Sequence, residues 1–266
     1  MTVPLPTPSL PDLRAGLASA AARLAALLQR GPDPNLPAIG TWTVGEVAAH
    51  AAGSASFFLA VLRGEAPPEA IEEAATNNAA FLAANLEREP AALAGRFVAG
   101  EQALLNHATA LEGDPVVEVF RGVWTPASTL LAVELAEVLV HGFDIARATR
   151  LPWEIGRGEA ALATTGLVPL LPHMLDDRKA AGFAARIDLR LRGAGRTLLV
   201  FSDGTLRVSA PDGGAVDCHL SADPAAYLLL SYRRVGPIAP MLSGKMLAWG
   251  RRPWPAARMS RLFRAP

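Results

Sequence analysis

The apolar residues of this chain recur every three to four positions up to about residue 178 and every second position beyond it. That change of period limits the fold to helices first and strands second. Ser9 with Asp12 opens a helix striped by Leu13, Leu17, Leu24 and Leu28. Thr43 and Glu46 open another, which carries Val47, His50, Ser54, Phe57 and Val61 on one face until Gly64 and Pro67 stop it. Alanine-rich runs from Pro68 to Glu87 and from Ala91 to Leu111 predict two more helices, and Thr125 followed by Pro126 starts a further one. Helices of this kind, joined by short loops, pack as an antiparallel bundle. A helix from Glu159 to about Leu175 is placed with them, with Pro169 and Pro172 able to end it early.

After Lys179 the runs "ARIDLRLRG", "RTLLVFS" and "TLRVSA" alternate as strands do, and Asp203-Gly204 is a hairpin signal between the last two. "AVDCHLSA" adds a strand, Asp223-Pro224 opens a helix reaching Tyr232, "GKMLAWG" reads as a last strand, and Pro255 to Phe263 as a last helix. The expectation is an α+β protein of two domains, a helical bundle over residues 1–178 and an α+β domain with an antiparallel sheet over residues 179–266.

Composition narrows the partners. With 51% apolar and 19% charged residues the 266-residue chain has ample material for a core. Its 25 basic and 25 acidic residues cancel, which gives no electrostatic reason to expect nucleic acid or an anionic membrane. Cys218 is the only cysteine, so no intramolecular disulfide forms and a reducing compartment is expected. The N-terminal stretch lacks the pattern of a secretion signal, and the longest uncharged run, Ala160 to Leu175, is shorter than the roughly 20 residues that span a bilayer. The expectation is a soluble, cytoplasmic protein, monomer or homodimer, acting on small molecules.

"ELAEVLVHGFDIARATR" sets Glu137, His141 and Asp144 on one stripe of an otherwise apolar helix. Buried ionisable groups need a partner or a metal. Two ligands four residues apart grip one ion when a neighbouring helix supplies a third, and two histidines with one glutamate leave a coordination position open, as catalytic zinc sites do. The bland reading of Glu137 and His141 is a solvated helix ion pair, and that of His50 is a core histidine. Asp144 either orients His141 or pairs with Arg147. His107, His173 and His219 have no partner pattern. Cys218 and His219 are strand neighbours pointing to opposite faces, so they form no nucleophile and base. "GRGEAA" from Gly156 is not preceded by a strand and is discounted as a dinucleotide loop. Arg233, Arg234, Arg251 and Arg252 either hold a carboxylate or form a solvated basic edge.

"TWTVGEVAAH" together with "ELAEVLVHGFDIARAT" resembles the DinB-like, mycothiol-dependent maleylpyruvate isomerase family, and "HLSADPAAYLLLSYRR", "GKMLAWG" and "ARMSRLF" are similar to its sterol-carrier-like domain. The resemblance covers nearly the whole chain. It implies His50, Glu137 and His141 as ligands of zinc or another divalent metal, and mycothiol as the co-substrate whose sulfur adds to an unsaturated keto diacid. It also implies an arginine on the diacid, for which Arg233 and Arg234 are the candidates, with Asp144 supporting the site. Isomerisation and S-transfer are both compatible with a thiolate in the open position, a hydrolase would place water there, and a protein binding an apolar ligand beside a vestigial metal site is the remaining alternative.

Overall fold

The computed structural model describes residues 5, 7–66 and 69–264. Residues 67 and 68, where one helix is expected to stop and the next to begin, lie outside them, as does part of the N-terminal stretch expected to lack a secretion signal. The described residues form two compact units, one within Ser9–Leu162 and the other from Ala163 onward together with Leu5, Thr7 and Pro8.

In the first unit α1 (Leu10–Gln29) begins where Ser9 Oγ accepts the Asp12 backbone N–H, with Pro11 in the first turn, where its missing donor costs no bond. A two-strand ladder, β1 (Pro37–Ile39) and β2 (Trp42–Thr43), leads into α2 (Val44–Leu62), where Thr43 and Glu46 satisfy each other's backbone N–H groups as the sequence predicts. α3 (Ala74–Ala84) is shorter than expected, and α4 (Pro90–Ala110) follows. Next comes a hairpin absent from the sequence reading, β3 (Val116–Phe120) with β4 (Val123–Pro126), turning at Arg121-Gly122 with Gly122 at φ +76°. α5 (Ala127–Thr149) starts directly from it and closes on Arg150 in the left-handed region.

α1, α2, α4 and α5 are the bundle, each packed against two of the others. α5 is enclosed, with Leu130, Leu131, Leu135, Leu139 and Ile145 fully buried. Glu134, His141 and Asp144 on α5 are likewise buried, surrounded by protein rather than water. α2 is long and apolar enough to cross a membrane by composition, but most of it is buried inside the unit as a core helix is.

α6 (Arg157–Leu167) carries the chain from the first unit into the second. It ends before Pro169, and a 3-10 turn leads into α7 (Leu171–Met174) and then α8 (Asp177–Ala180). β5 (Ala185–Leu191), β6 (Gly195–Ser202) and β7 (Thr205–Ser209) form the meander, its second turn built on Asp203 at φ 48° and Gly204 at φ 75°. β8 (Cys218–Ala222), α9 (Pro224–Ser231), α10 (Ile238–Leu242), β9 (Met246–Trp249) and α11 (Trp254–Met259) complete the unit. The five strands lie in the order β7-β6-β5-β8-β9. All neighbours are antiparallel except β5 and β8, which run parallel because the β6–β7 hairpin and the loop after it return the chain to the same end of the sheet.

Candidate metal centre

α2 and α5 pack side by side, and three polar side chains meet between them. The Nε2 atoms of His50 and His141 lie 3.4 and 2.9 Å from the same oxygen, Glu137 Oε2. The two imidazoles meet edge to face at 5.0 Å, and Trp42 of β2 flanks His50 at 5.1 Å. One ligand atom from each of His50, Glu137 and His141 falls within 4.8 Å of the others. His141 is buried, while the His50 and Glu137 side chains keep 13% and 18% of their surface exposed, so the cluster has one open side.

Asp144, also buried, sets its Oδ2 3.2 Å from His141 Nδ1. That contact holds the ring so that Nε2 faces His50 and Glu137. Burial works against charge on both members of the pair in α5. Burial pulls the His141 imidazole down, but hydrogen bonds with Asp144 and Glu137 outweigh it and raise it to about 9. Burial likewise pushes Glu137 up, but hydrogen bonds with His141 and His50 hold it well below the usual carboxylate range. In the metal-free protein a protonated His141 thus bridges two carboxylates. The donor set, two nitrogens and one carboxylate oxygen already converging, fits a divalent ion that tolerates four-coordination. Nothing here needs a sulfur ligand.

One turn further along the same two helices is a second buried group. Ser54 Oγ lies 2.8 Å from Glu134 Oε1, and Glu101 reaches in from α4. Both glutamates are buried, 0% and 2% exposed, and among the described residues neither Glu101 oxygen nor Glu134 Oε2 meets a hydrogen-bond donor other than a carboxyl proton. Burial raises both: Glu101 to about 7, and Glu134, further raised by the charge of Glu101, well above the usual range. The pair therefore holds a proton, carried by Glu134 and shared with Glu101. The sequence reading missed it, although Glu101 falls on the stripe of Leu93, Phe97, Leu104 and Ala108 that α4 buries.

The other sequence candidates belong to the C-terminal unit. Arg233 Nη2 donates to the Phe263 carbonyl and Arg234 Nη1 to that of Tyr232, over whose ring its guanidinium lies at 5.9 Å. Arg251 and Arg252 reach the Asp217 carboxylate, at 2.8 and 3.6 Å. Cys218 is buried in the sheet core, and burial raises its thiol, which suits a structural residue. His219 corrects the sequence reading: it has a partner, with Nδ1 2.7 Å from Asp188 Oδ2 on the neighbouring parallel strand.

Residues 13–146 match the mycothiol maleylpyruvate isomerase N-terminal domain, half of the chain and the whole span from His50 to Asp144. The chain belongs to the mycothiol maleylpyruvate isomerase family. The accompanying domain of this isomerase-family chain, residues 171–250, matches the SCP-2 sterol transfer family. Its fold is similar to that of a mycothiol-dependent maleylpyruvate isomerase, with a TM-score of 0.53 at 17% identity over 90% of this chain and 92% of that one. A histidine-to-alanine variant of such an isomerase aligns over the same shares with a TM-score of 0.56 at 16% identity. A stereoselective inverting sec-alkylsulfatase from Pseudomonas sp. aligns with a TM-score of 0.37 at 16% identity over 53% of this chain, which spans 25% of that enzyme's length. No curated relative matches the sequence.

Proposed function

We propose that this chain is a metal-dependent enzyme that uses mycothiol to isomerise an unsaturated keto diacid of the maleylpyruvate type. The observation that carries the reading is the convergence of His50 and His141 on a single oxygen of Glu137 at the partly open end of a buried cluster. Family membership and the shared fold support it.

His50, Glu137 and His141 would hold the ion, zinc being the expected one. An ion bound there would offer its open position to the thiol and lower the thiol's pKa, so that sulfur is ionised near neutral pH. The chain's own residues do the rest. Asp144 keeps His141 Nδ1 engaged and its Nε2 available. The apolar wall of α5 keeps bulk water from the back of the site. In the substrate the thiolate adds to one alkene carbon, the resulting single bond rotates, and expulsion of the same thiolate restores the double bond in the other geometry. Arg233 and Arg234 are proposed for the diacid's carboxylates, since a guanidinium binds a carboxylate through two parallel N–H donors. The thiol comes from outside because Cys218, the one cysteine, is buried in the sheet. The cytoplasm is the proposed compartment, where such a thiol stays reduced.

The test is to assay isomerisation with mycothiol on wild type and on His50→Ala, Glu137→Gln and His141→Ala, with bound metal measured on the same samples. Loss of metal and turnover together supports the reading, and full turnover in any two of the three variants rejects it.

One observation favours a second reading of the C-terminal unit. An apolar cavity there is lined by Leu167, Leu171, Met174, Tyr227, Met259 and Phe263, which suits an apolar ligand. Saturable binding of a fluorescent fatty acid, unchanged by His141→Ala, would support that role beside or instead of the enzymatic one.

A further inference from the structure

The sheet of the C-terminal unit has one face in the core and one outside it. Ile187 and Leu189 on β5, Leu220 on β8 and Ala248 on β9 point into the core. Strand alternation therefore sends Asp188, Arg190, His219, Ser221, Leu247 and Trp249 to the opposite face. Register brings them together there. Arg190 stands between Arg196 of β6 and Ser221 of β8, and Ser221 faces Leu247 of β9. In the next row Asp188 faces His219, which faces Trp249. Directly opposed side chains on one face of a sheet are about 5 Å apart at Cβ, and diagonal ones are within reach of long side chains.

The charges of this face do not cancel. Asp188 is saturated: Arg196 grips it through Nε at 2.9 Å and through Nη2, and His219 Nδ1 lies 2.7 Å away. Arg196 is thereby neutralised. Arg190 is exposed and, among the described residues, makes no ion pair. Beside it are the Ser221 hydroxyl and an aromatic shelf, Trp249 stacked on His219 at 5.3 Å and 19° with 49% of its surface in solvent, continued by Leu247 at 50%. The Asp188 contact fixes the His219 ring, and the ring in turn fixes the indole.

We propose that this face binds a carboxylate carried on a flat apolar body, the guanidinium of Arg190 and the hydroxyl of Ser221 taking the carboxylate and Trp249 with Leu247 taking the body. Arginine suits a carboxylate because its planar fork matches the two oxygens. An exposed ion pair alone is worth little, so the apolar shelf has to supply the remaining affinity and with it the selectivity. The site stands on the C-terminal unit alone and does not depend on the thiol chemistry proposed above.

The experiment is a titration of the full-length protein with benzoate, acetate, benzamide and phenyl phosphate, followed through the Trp249 indole N–H resonance, which reports this face rather than the metal centre. Benzoate is expected to bind at least tenfold more tightly than acetate, and benzamide not to saturate. Arg190→Gln, at an exposed position, should weaken benzoate at least tenfold. Trp249→Leu, followed by calorimetry, should erase the preference for benzoate over acetate. Failure of benzoate to shift the resonance up to about 10 mM, equal binding by Arg190→Gln, or equal binding of benzamide overturns the proposal. Tighter binding of phenyl phosphate than benzoate overturns the carboxylate assignment.

Discussion

Nε2 of His141 lies 2.9 Å from Oε2 of Glu137, one turn back along α5. In the metal-free protein that contact is a charged hydrogen bond, because His141 is raised to about 9 from an ordinary 6.5. A metal ion must displace that proton to use the nitrogen. Apparent metal affinity should therefore rise about tenfold per pH unit between pH 6 and 8 and level off near pH 9. The stability that the charged His141 gives the metal-free protein runs the other way: fully present below pH 6.5, it is lost as pH rises through about 9. Competition titrations with a chelating dye at pH 6, 7 and 8 check the first trend, and a flat affinity would show that His141 is not a ligand.

Asp144→Asn should lower metal affinity about 10- to 100-fold, the usual effect of losing a carboxylate behind a metal-binding histidine. His141 Nδ1 keeps a neutral hydrogen-bond partner in this variant but loses the charge that makes it basic. Metal content after dialysis against a weak chelator, read beside an unchanged circular dichroism spectrum, separates this effect from unfolding. Full retention of metal would reduce Asp144 to a packing residue.

The buried Glu101 and Glu134 pair predicts a stability that falls with rising pH. Glu101 titrates at about 7 in the folded protein against 4.5 when exposed. Over that window Glu101, like Glu134, holds in the folded state a proton that the unfolded chain releases, so each pH unit costs up to about 1.4 kcal/mol for each of the two carboxyls. Urea unfolding of the metal-free protein at pH 5 and pH 7 should show the loss, and Glu101→Gln, which removes one of the two raised carboxyls, should make it shallower, with buried Glu134 supplying what remains. An identical slope in the variant would assign the pH dependence elsewhere.

Gly142, next to His141, is a point of close packing. A Cβ placed there would meet Trp153 Cζ2 at 2.0 Å, and Trp153 is held by its Nε1 bond to the Leu139 carbonyl and by Arg23 over its ring. Gly142→Ala should therefore destabilise the bundle by about 1–3 kcal/mol. Thermal unfolding measures it, and an unchanged midpoint would mean that the Trp153 loop yields freely.

Much of this was legible in the residues because the signals were local. Ser9 with Asp12 and Thr43 with Glu46 are capping pairs three residues apart, and Glu137 with His141 is a helix-face pair four apart, so each was readable from spacing alone. His50 joined the other two only through the family resemblance. What escaped was non-local or subtle. The partner of His219 lies 31 positions away on a parallel strand, a pairing that no local pattern announces. Glu101 and Glu134 come from helices whose packing decides which polar residue is buried. The β3–β4 hairpin did carry a signal, since "VVEVFRGVW" alternates around a glycine turn, but it was overshadowed by the helical periodicity on both sides.

The thiol requirement tests the central claim most directly. Turnover of maleylpyruvate should be measured with and without mycothiol at about pH 6.5, where a free thiol of pKa about 8.5 is mostly protonated, on wild type and on Cys218→Ala. The prediction is isomerisation that requires added thiol, persists at this pH, and is unchanged in Cys218→Ala. Turnover that proceeds without thiol and is suppressed by it would contradict the account and point to a metal-dependent hydrolase, while loss of activity in Cys218→Ala would place the nucleophile within the chain.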